Sequence, residues 1–165
     1  MTPERRKALR RTYLSLGLGE LASAVVFALV SSRTPISARA NPALVIAVTP
    51  LVVVLVQAGC YWLAARTWVG IDTMPRALAV AYRGFGWINP ILLGAALIGL
   101  LTRLPVSAFD LALVLGVWLF GAVEHVNYYL VRLAYPARQW ARLVRQRRTP
   151  RLRRDLDAAR VNAHG

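Results

Sequence analysis

Apolar residues gather in four long windows separated by short polar connections. The first runs from Tyr13 to Ser32 and is broken only by Glu20 and a few glycines and serines. The second spans Pro42 to Ala65, and the third roughly Tyr82 to Leu101. The fourth runs from about Ser107 to Tyr135, with polar residues massed in its second half. Crossing a bilayer takes about 18–20 apolar residues in a helix. Helices close their backbone hydrogen bonds internally at this length, whereas barrel strands alternate and are much shorter. The pattern predicts an all-α, polytopic membrane protein. Four transmembrane helices, over about 13–32, 42–65, 82–101 and 107–135, form a bundle with short loops. Residues 1–12 read as a basic tail and residues 136–165 as a second, basic amphipathic tail.

Pro50 and Pro90 fall inside the second and third windows. A proline removes a backbone donor and kinks a helix, which membrane bundles tolerate when neighbours serve the freed carbonyl. Both spans are kept, with bends expected. In the long connection between them, Asp72 or Thr73 is suited to cap a helix with Pro75 in its first turn.

Composition sharpens this picture. Of 165 residues, 57% are hydrophobic and 17% charged, against about 45–50% and about 25% in a soluble domain. That excludes a disordered chain and argues against an ordinary soluble globule. The net charge of +14 comes from 21 Lys+Arg against 7 Asp+Glu. Eighteen of the basic residues lie in the two tails and the middle connection; only Arg33, Arg39 and Arg103 lie in the other two connections. The positive-inside rule therefore predicts cytoplasmic N- and C-termini in a multi-pass protein of the cell's inner membrane. An even number of spans agrees. Arg10-Arg11-Thr12-Tyr13-Leu14 has the look of a twin-arginine export signal. The apolar stretch behind it is longer than a signal core and holds Glu20, so the arginines read as topogenic.

Depth along each helix, at about 1.5 Å per residue, places Glu20, Gln57 and Asn89 some ~10–12 Å from the basic surface, and Glu124, His125 and Asn127 ~12–16 Å. Such groups are costly in lipid and turn toward a bundle interior or a cavity. All four helices thus contribute to one polar layer, with an apolar plug beyond it. Glu124, Asn127, Tyr128 and Arg132 share one helical stripe, and His125 and Tyr129 an adjacent one. Glu124 must be protonated or paired, with His125, Tyr61 or an arginine of another helix as partner. The ligand- or ion-binding candidates are Glu20, Gln57, Asn89, Glu124, His125, Asn127, Tyr128 and Arg132. The competing reading is that they form interhelical hydrogen bonds and no more, at about 0.6 kcal/mol each; it applies most directly to Gln57 and Asn89.

Cys60, the lone cysteine, excludes a disulfide framework and a CxxC site and reads as a buried apolar packer. Cys60, His125, Glu124 and Glu20 share no metal-ligand spacing. His125 is the one histidine in a span, so a bis-histidine haem site within one chain is not expected. No cofactor is assigned. Tyr13, Tyr61, Trp62, Trp68, Tyr82, Trp87, Tyr128, Tyr129 and Tyr135 cluster toward the basic ends of the windows, where such rings anchor helices at headgroup level. In the C-terminal tail, Arg138, Trp140, Arg142, Arg145, Arg147 and Arg148 suit an anionic membrane surface. Leu152, Leu156 and Ala159 form the apolar stripe of a short helix after Pro150. The arginines could instead bind nucleic acid, but no reader motif accompanies them. Anionic inner-leaflet lipid is the expected partner, with a homodimer or a protein partner in the membrane as further possibilities.

The segment Glu124-His-Val-Asn-Tyr-Tyr-Leu-Val-Arg-Leu133 resembles the closing helix of small four-helix bacterial integral membrane proteins, which implies architecture and no activity. Small multidrug-resistance exporters are similar in having four helices and a glutamate in the first, matched by Glu20. This chain adds long basic tails and a second buried glutamate. Membrane-bound isoprenylcysteine and phospholipid methyltransferases end on a pattern that Glu124, Tyr128, Arg132 and Pro136 echo, but their Arg-His-Pro cofactor segment is absent. The residues therefore favour a non-enzymatic membrane protein that binds a polar or cationic group, a lipid headgroup or a partner. Proton-coupled transport through Glu20 and Glu124 is the alternative, and a lipid-modifying membrane enzyme a further one.

Overall fold

A computed structural model describes residues 1–33, 41–103, 107–131, 133 and 149–161. The described chain is all-α, with five helices: α1 (Pro3–Arg33), α2 (Asn41–Trp68), α3 (Arg76–Leu101), α4 (Ala108–Tyr129) and α5 (Arg151–Val161). The first four are each long and apolar enough to cross a membrane. They form the four-helix bundle of a small integral membrane protein. Both α2 and α3 continue through their prolines, Pro50 and Pro90.

Helix boundaries differ from the apolar windows at the basic end. α1 begins at Pro3, so the arginines read as a tail occupy its first turns. α3 begins at Arg76 behind Pro75, which makes no side-chain cap. Asp72 instead accepts from the backbone N–H of Thr73 at 2.7 Å. α4 stops at Tyr129, six residues short of the apolar window, because the Asn127 side chain accepts the backbone N–H of Leu133 at 2.8 Å and turns the chain. α2 ends at Trp68, and Gly70 two residues on has a φ of +74°, in the left-handed region that suits glycine just past a helix end.

Cross-helix contacts give an up-down-up-down order. Tyr13 meets Trp62 and Ala24 clusters with Leu51, so α1 and α2 run antiparallel. Gln57 pairs with Asn89 and Ile46 lies by Gly99, so α2 and α3 do too. α2 is the hub and packs on α1, α3 and α4. Its buried positions, Ala47, Leu51, Val54, Ala58, Tyr61, Ala65 and Trp68, follow three-and-four spacing. Cys60 sits on the opposite face and is exposed, not buried as its residue type suggested. α1 approaches α2 closely where Gly17 and Gly59 meet. A Cβ on Gly59 would fall 3.1 Å from the Gly17 carbonyl oxygen, and one on Gly17 3.0 Å from that of Gly59.

The core has two chemically different halves. Away from the basic end it is aliphatic, built on Ala43, Leu44, Ala47, Val48, Leu100 and Val114. At the basic end it is aromatic: Tyr13, Tyr61, Trp68, Tyr82, Tyr128 and Tyr129 are all buried in one cluster. The expected headgroup belt is therefore largely turned inward, and among the described rings only Trp87, 79% exposed, stands fully outside. α5 is the reason. Leu152 and Leu156, the stripe expected to lie on lipid, are buried in that aromatic cluster. The tail residues Arg138, Trp140, Arg142, Arg145, Arg147 and Arg148, and Tyr135, lie outside the described residues.

Candidate functional site

α1 and α4 both pack on α2, and side chains bridge from one to the other. Phe27 and Phe120 touch toward the far end, with ring centroids 5.6 Å apart. Near the basic end the Tyr128 hydroxyl donates to the Glu20 carboxylate. Between and around these bridges is a groove with two linked hollows. The larger, of about 430 Å³, is walled by Tyr13, Leu16, Glu20, Trp62, Glu124, Asn127 and Tyr128 and by Pro150, Arg151, Leu152 and Arg154 of the α5 segment. The smaller, of about 300 Å³, continues along Ser15, Gly19, Ser23, Phe27, Leu55 and Phe120. Glu20 and Glu124 line both.

The groove's polar groups are ordered by a short relay. The Trp62 indole N–H donates to the Tyr128 hydroxyl at 3.3 Å, and that hydroxyl in turn donates to Glu20. Asn127 hydrogen-bonds Glu124, and the Glu20 charge acts on Glu124 across the groove. Two carboxylates on separate helices, in a site shielded from bulk water, repel unless a cation or a proton sits with them.

The predicted polar layer thus separates into three parts. Glu20, Glu124, Asn127 and Tyr128 come together. Gln57 and Asn89 turn away and satisfy one another: the Gln57 amide donates to Asn89 Oδ1 at 3.1 Å, and the Asn89 amide to Gln57 Oε1 at 2.7 Å. Asn89 is fully buried, and neither residue of this reciprocal pair lines the groove. His125 is buried against Tyr129, the two rings stacked with centroids 5.0 Å apart. Neither its Nδ1 nor the Tyr129 hydroxyl finds a hydrogen-bond partner among the described residues. Asn127 is the residue that hydrogen-bonds Glu124, and the Tyr61 hydroxyl donates to Asp155 instead. Arg132 lies outside the described residues. Among the described residues no three His, Cys, Asp or Glu side chains converge on a metal position.

Sequence reasoning missed Asp155. It is buried at 8% exposure, accepts from the Tyr61 hydroxyl at 2.9 Å and from the Trp68 indole N–H at 3.1 Å, and pairs with Arg151 at 2.9 Å. Burial works against the Arg151 charge, but Asp155 and the nearby Tyr13 and Tyr61 hydroxyls outweigh it and raise the Arg151 pKa above its ordinary value. Further contacts fasten α5: Arg83 donates to the Leu156 carbonyl at 3.1 Å, and Arg153 to the Tyr129 carbonyl at 3.4 Å. The signal was available. Asp155 is an acid within an arginine-rich segment, adjoining the Leu152–Leu156 stripe, where a lipid-facing helix would not place it.

No protein-family model matches the chain, and no curated protein or solved structure shows significant similarity to it.

Proposed function

We propose that this small integral membrane protein binds a cationic group, of the protonated-amine type, in the α1–α4 groove, with Glu20 and Glu124 as counter-charges. One observation carries the reading: two carboxylates, one from α1 and one from α4, face the same 430 Å³ hollow. Their own partners, Tyr128 for Glu20 and Asn127 for Glu124, are neutral, so they orient the carboxylates without neutralising them, unlike the mutually paired Gln57 and Asn89 amides. The Tyr13, Trp62 and Tyr128 rings on the same walls suit an organic cation, which aromatic faces attract. The volume is of the size that small-molecule sites have, roughly 300–1,000 Å³. The charge distribution supports placing the basic end, and so the α5 side of the groove, in the cytoplasm.

The test is a titration of the protein in nanodiscs with octylamine at neutral pH, followed by calorimetry. Saturable binding weakened about tenfold or more in Glu124→Gln and in Glu20→Gln is expected, since each loses a poorly solvated charge pair. Equal affinity in wild type and both variants overturns the proposal.

One further observation favours a second reading. Glu20 and Glu124 border both hollows, so a proton or cation on either has two routes away. Proton-coupled transport would follow from that arrangement. It predicts pH-driven flux in liposomes that Glu20→Gln abolishes; binding without flux leaves the first reading alone.

A further inference from the structure

A separate concavity of about 250 Å³ lies at the basic end of the α1–α2 pair. Arg6, Lys7, Arg10 and Arg11 of α1 and Arg66 of α2 line it, with Leu14 at the apolar end. No acidic side chain is among its walls. Three arginines elsewhere at this end of the molecule are partnered: Arg151 by Asp155, Arg83 by the Leu156 carbonyl and Arg153 by the Tyr129 carbonyl. In the concavity, Arg6 spends one N–H on the Val69 carbonyl at 3.1 Å. The Arg66 Nε is buried with no hydrogen-bond partner among the described residues. Five cations converging on so small a volume repel one another, and a buried guanidinium N–H without an acceptor is costly. Both costs are removed by one multivalent anion, and guanidinium forks match phosphate oxygens in geometry.

The anion's source follows from what continues below. Leu14 is succeeded on the same helical face by Leu18, Val25 and Leu29, at spacings of four and seven residues. All three of these are more than half exposed. The concavity therefore opens onto an apolar ledge that runs down into the membrane. We infer that it is a headgroup site for an anionic phospholipid, whose phosphate sits among Arg10, Arg11 and Arg66 and whose acyl chain lies along Leu14 and Leu18. This is a site on the opposite edge of α1 from the carboxylate groove and does not depend on it.

The test is native mass spectrometry of the full chain, released from nanodiscs of equal parts phosphatidylglycerol and phosphatidylcholine. Wild type is expected to retain one phosphatidylglycerol in preference to phosphatidylcholine. Arg66→Gln should weaken that retention about fivefold, the effect of one charge near an anionic surface. Arg11→Gln, which alters an exposed side chain, gives a second reading should Arg66→Gln fail to fold. Arg103→Gln, at the other end of the bundle, should leave retention unchanged. Equal retention of the two lipids, no loss in either site variant, or an equal loss in Arg103→Gln overturns the assignment. Repeating the release in 10 mM inorganic phosphate separates the two sources of phosphate. A surviving lipid adduct supports the headgroup site, and its displacement by phosphate alone overturns the lipid assignment in favour of a soluble ion.

Discussion

Asp155→Ala is expected to release α5 while leaving the four-helix bundle folded. The substitution removes the acceptor shared by the Tyr61 hydroxyl and the Trp68 indole N–H. Each buried donor so stranded costs about 1–3 kcal/mol. The Arg151 pair, on a partly exposed side chain, adds about 1 kcal/mol at most. The loss is then roughly 2–7 kcal/mol. Against it stands what else holds α5: burial of Leu152 and Leu156, at about 1.5–3 kcal/mol each. From that must be subtracted the ordering of a helix of 11 residues, too short to be stable alone. The two quantities are of the same size, so the docked state loses its advantage. Undocking also lets Tyr61 and Trp68 reach water, which caps the damage to the bundle. Hydrogen–deuterium exchange in nanodiscs reads this directly. Amides of 151–161 should lose about 30-fold or more in protection, the equivalent of about 2 kcal/mol, and the amides of α2 and α3 should keep theirs. Leu152→Ala should act in the same direction, and Asp157→Ala, on an exposed side chain, should not. Wild-type exchange across 151–161 in Asp155→Ala would refute the anchoring role; a collapse of protection throughout the bundle would refute the claim that the effect is local.

Other substitutions probe the remaining contacts. Asn89→Leu strands the buried end of the Gln57 amide and should cost about 1–3 kcal/mol in a reversible unfolding assay in detergent; Gln57→Leu/Asn89→Leu should recover part of it, and no recovery would deny that the pair is a closed unit. Gly59→Ala pushes a methyl against Leu21, whose Cγ lies 2.7 Å from the new Cβ, and against the Gly17 carbonyl oxygen at 3.1 Å. A loss of about 1–3 kcal/mol is expected, with Gly17→Ala/Gly59→Ala departing from additivity because the two sites share one contact. Tyr128→Phe removes the link from Trp62 to Glu20 without emptying the site; octylamine affinity should fall less than in Glu20→Gln, and a fall as large would show that the hydroxyl, not the carboxylate, holds the ligand.

The spans were legible because lipid enforces them. A chain that must satisfy every backbone group internally has few ways to cross, and runs of about 20 apolar residues declare each crossing. Helical spacing also grouped Glu124, Asn127 and Tyr128 on one wall and His125 with Tyr129 on another. Spacing says which residues share a face of their own helix, and nothing about which neighbour that face meets. Depth placed Gln57, Asn89, Glu20 and Glu124 at one level, yet the first two close on each other between α2 and α3 and the last two face the gap between α1 and α4. The aromatic rings pose the same ambiguity. A tyrosine near the end of an apolar window is equally suited to the headgroup region and to a buried hydrogen bond, and the choice depends on whether a buried acceptor exists.

Asp155 is that acceptor, and it ties the two parts of the molecule together. It holds α5 on Tyr61 and Trp68, while the same segment supplies Pro150, Arg151, Leu152 and Arg154 to the groove that contains Glu20 and Glu124. Trp62, beside Tyr61, donates into the relay that ends on Glu20. A basic helix against a groove with two carboxylates is also a charge already close to them: Arg151 and Arg154 partly offset the repulsion that an incoming cation would relieve. Docking of α5 and occupancy of the groove by a cation therefore oppose each other electrostatically, and by linkage each should weaken the other by the same factor. Octylamine should bind more tightly to Asp155→Ala than to wild type, and saturating octylamine should speed exchange of 151–161 in the wild type. Tighter binding without faster exchange, or the reverse, would break the reciprocity and with it the claim that one helix governs both.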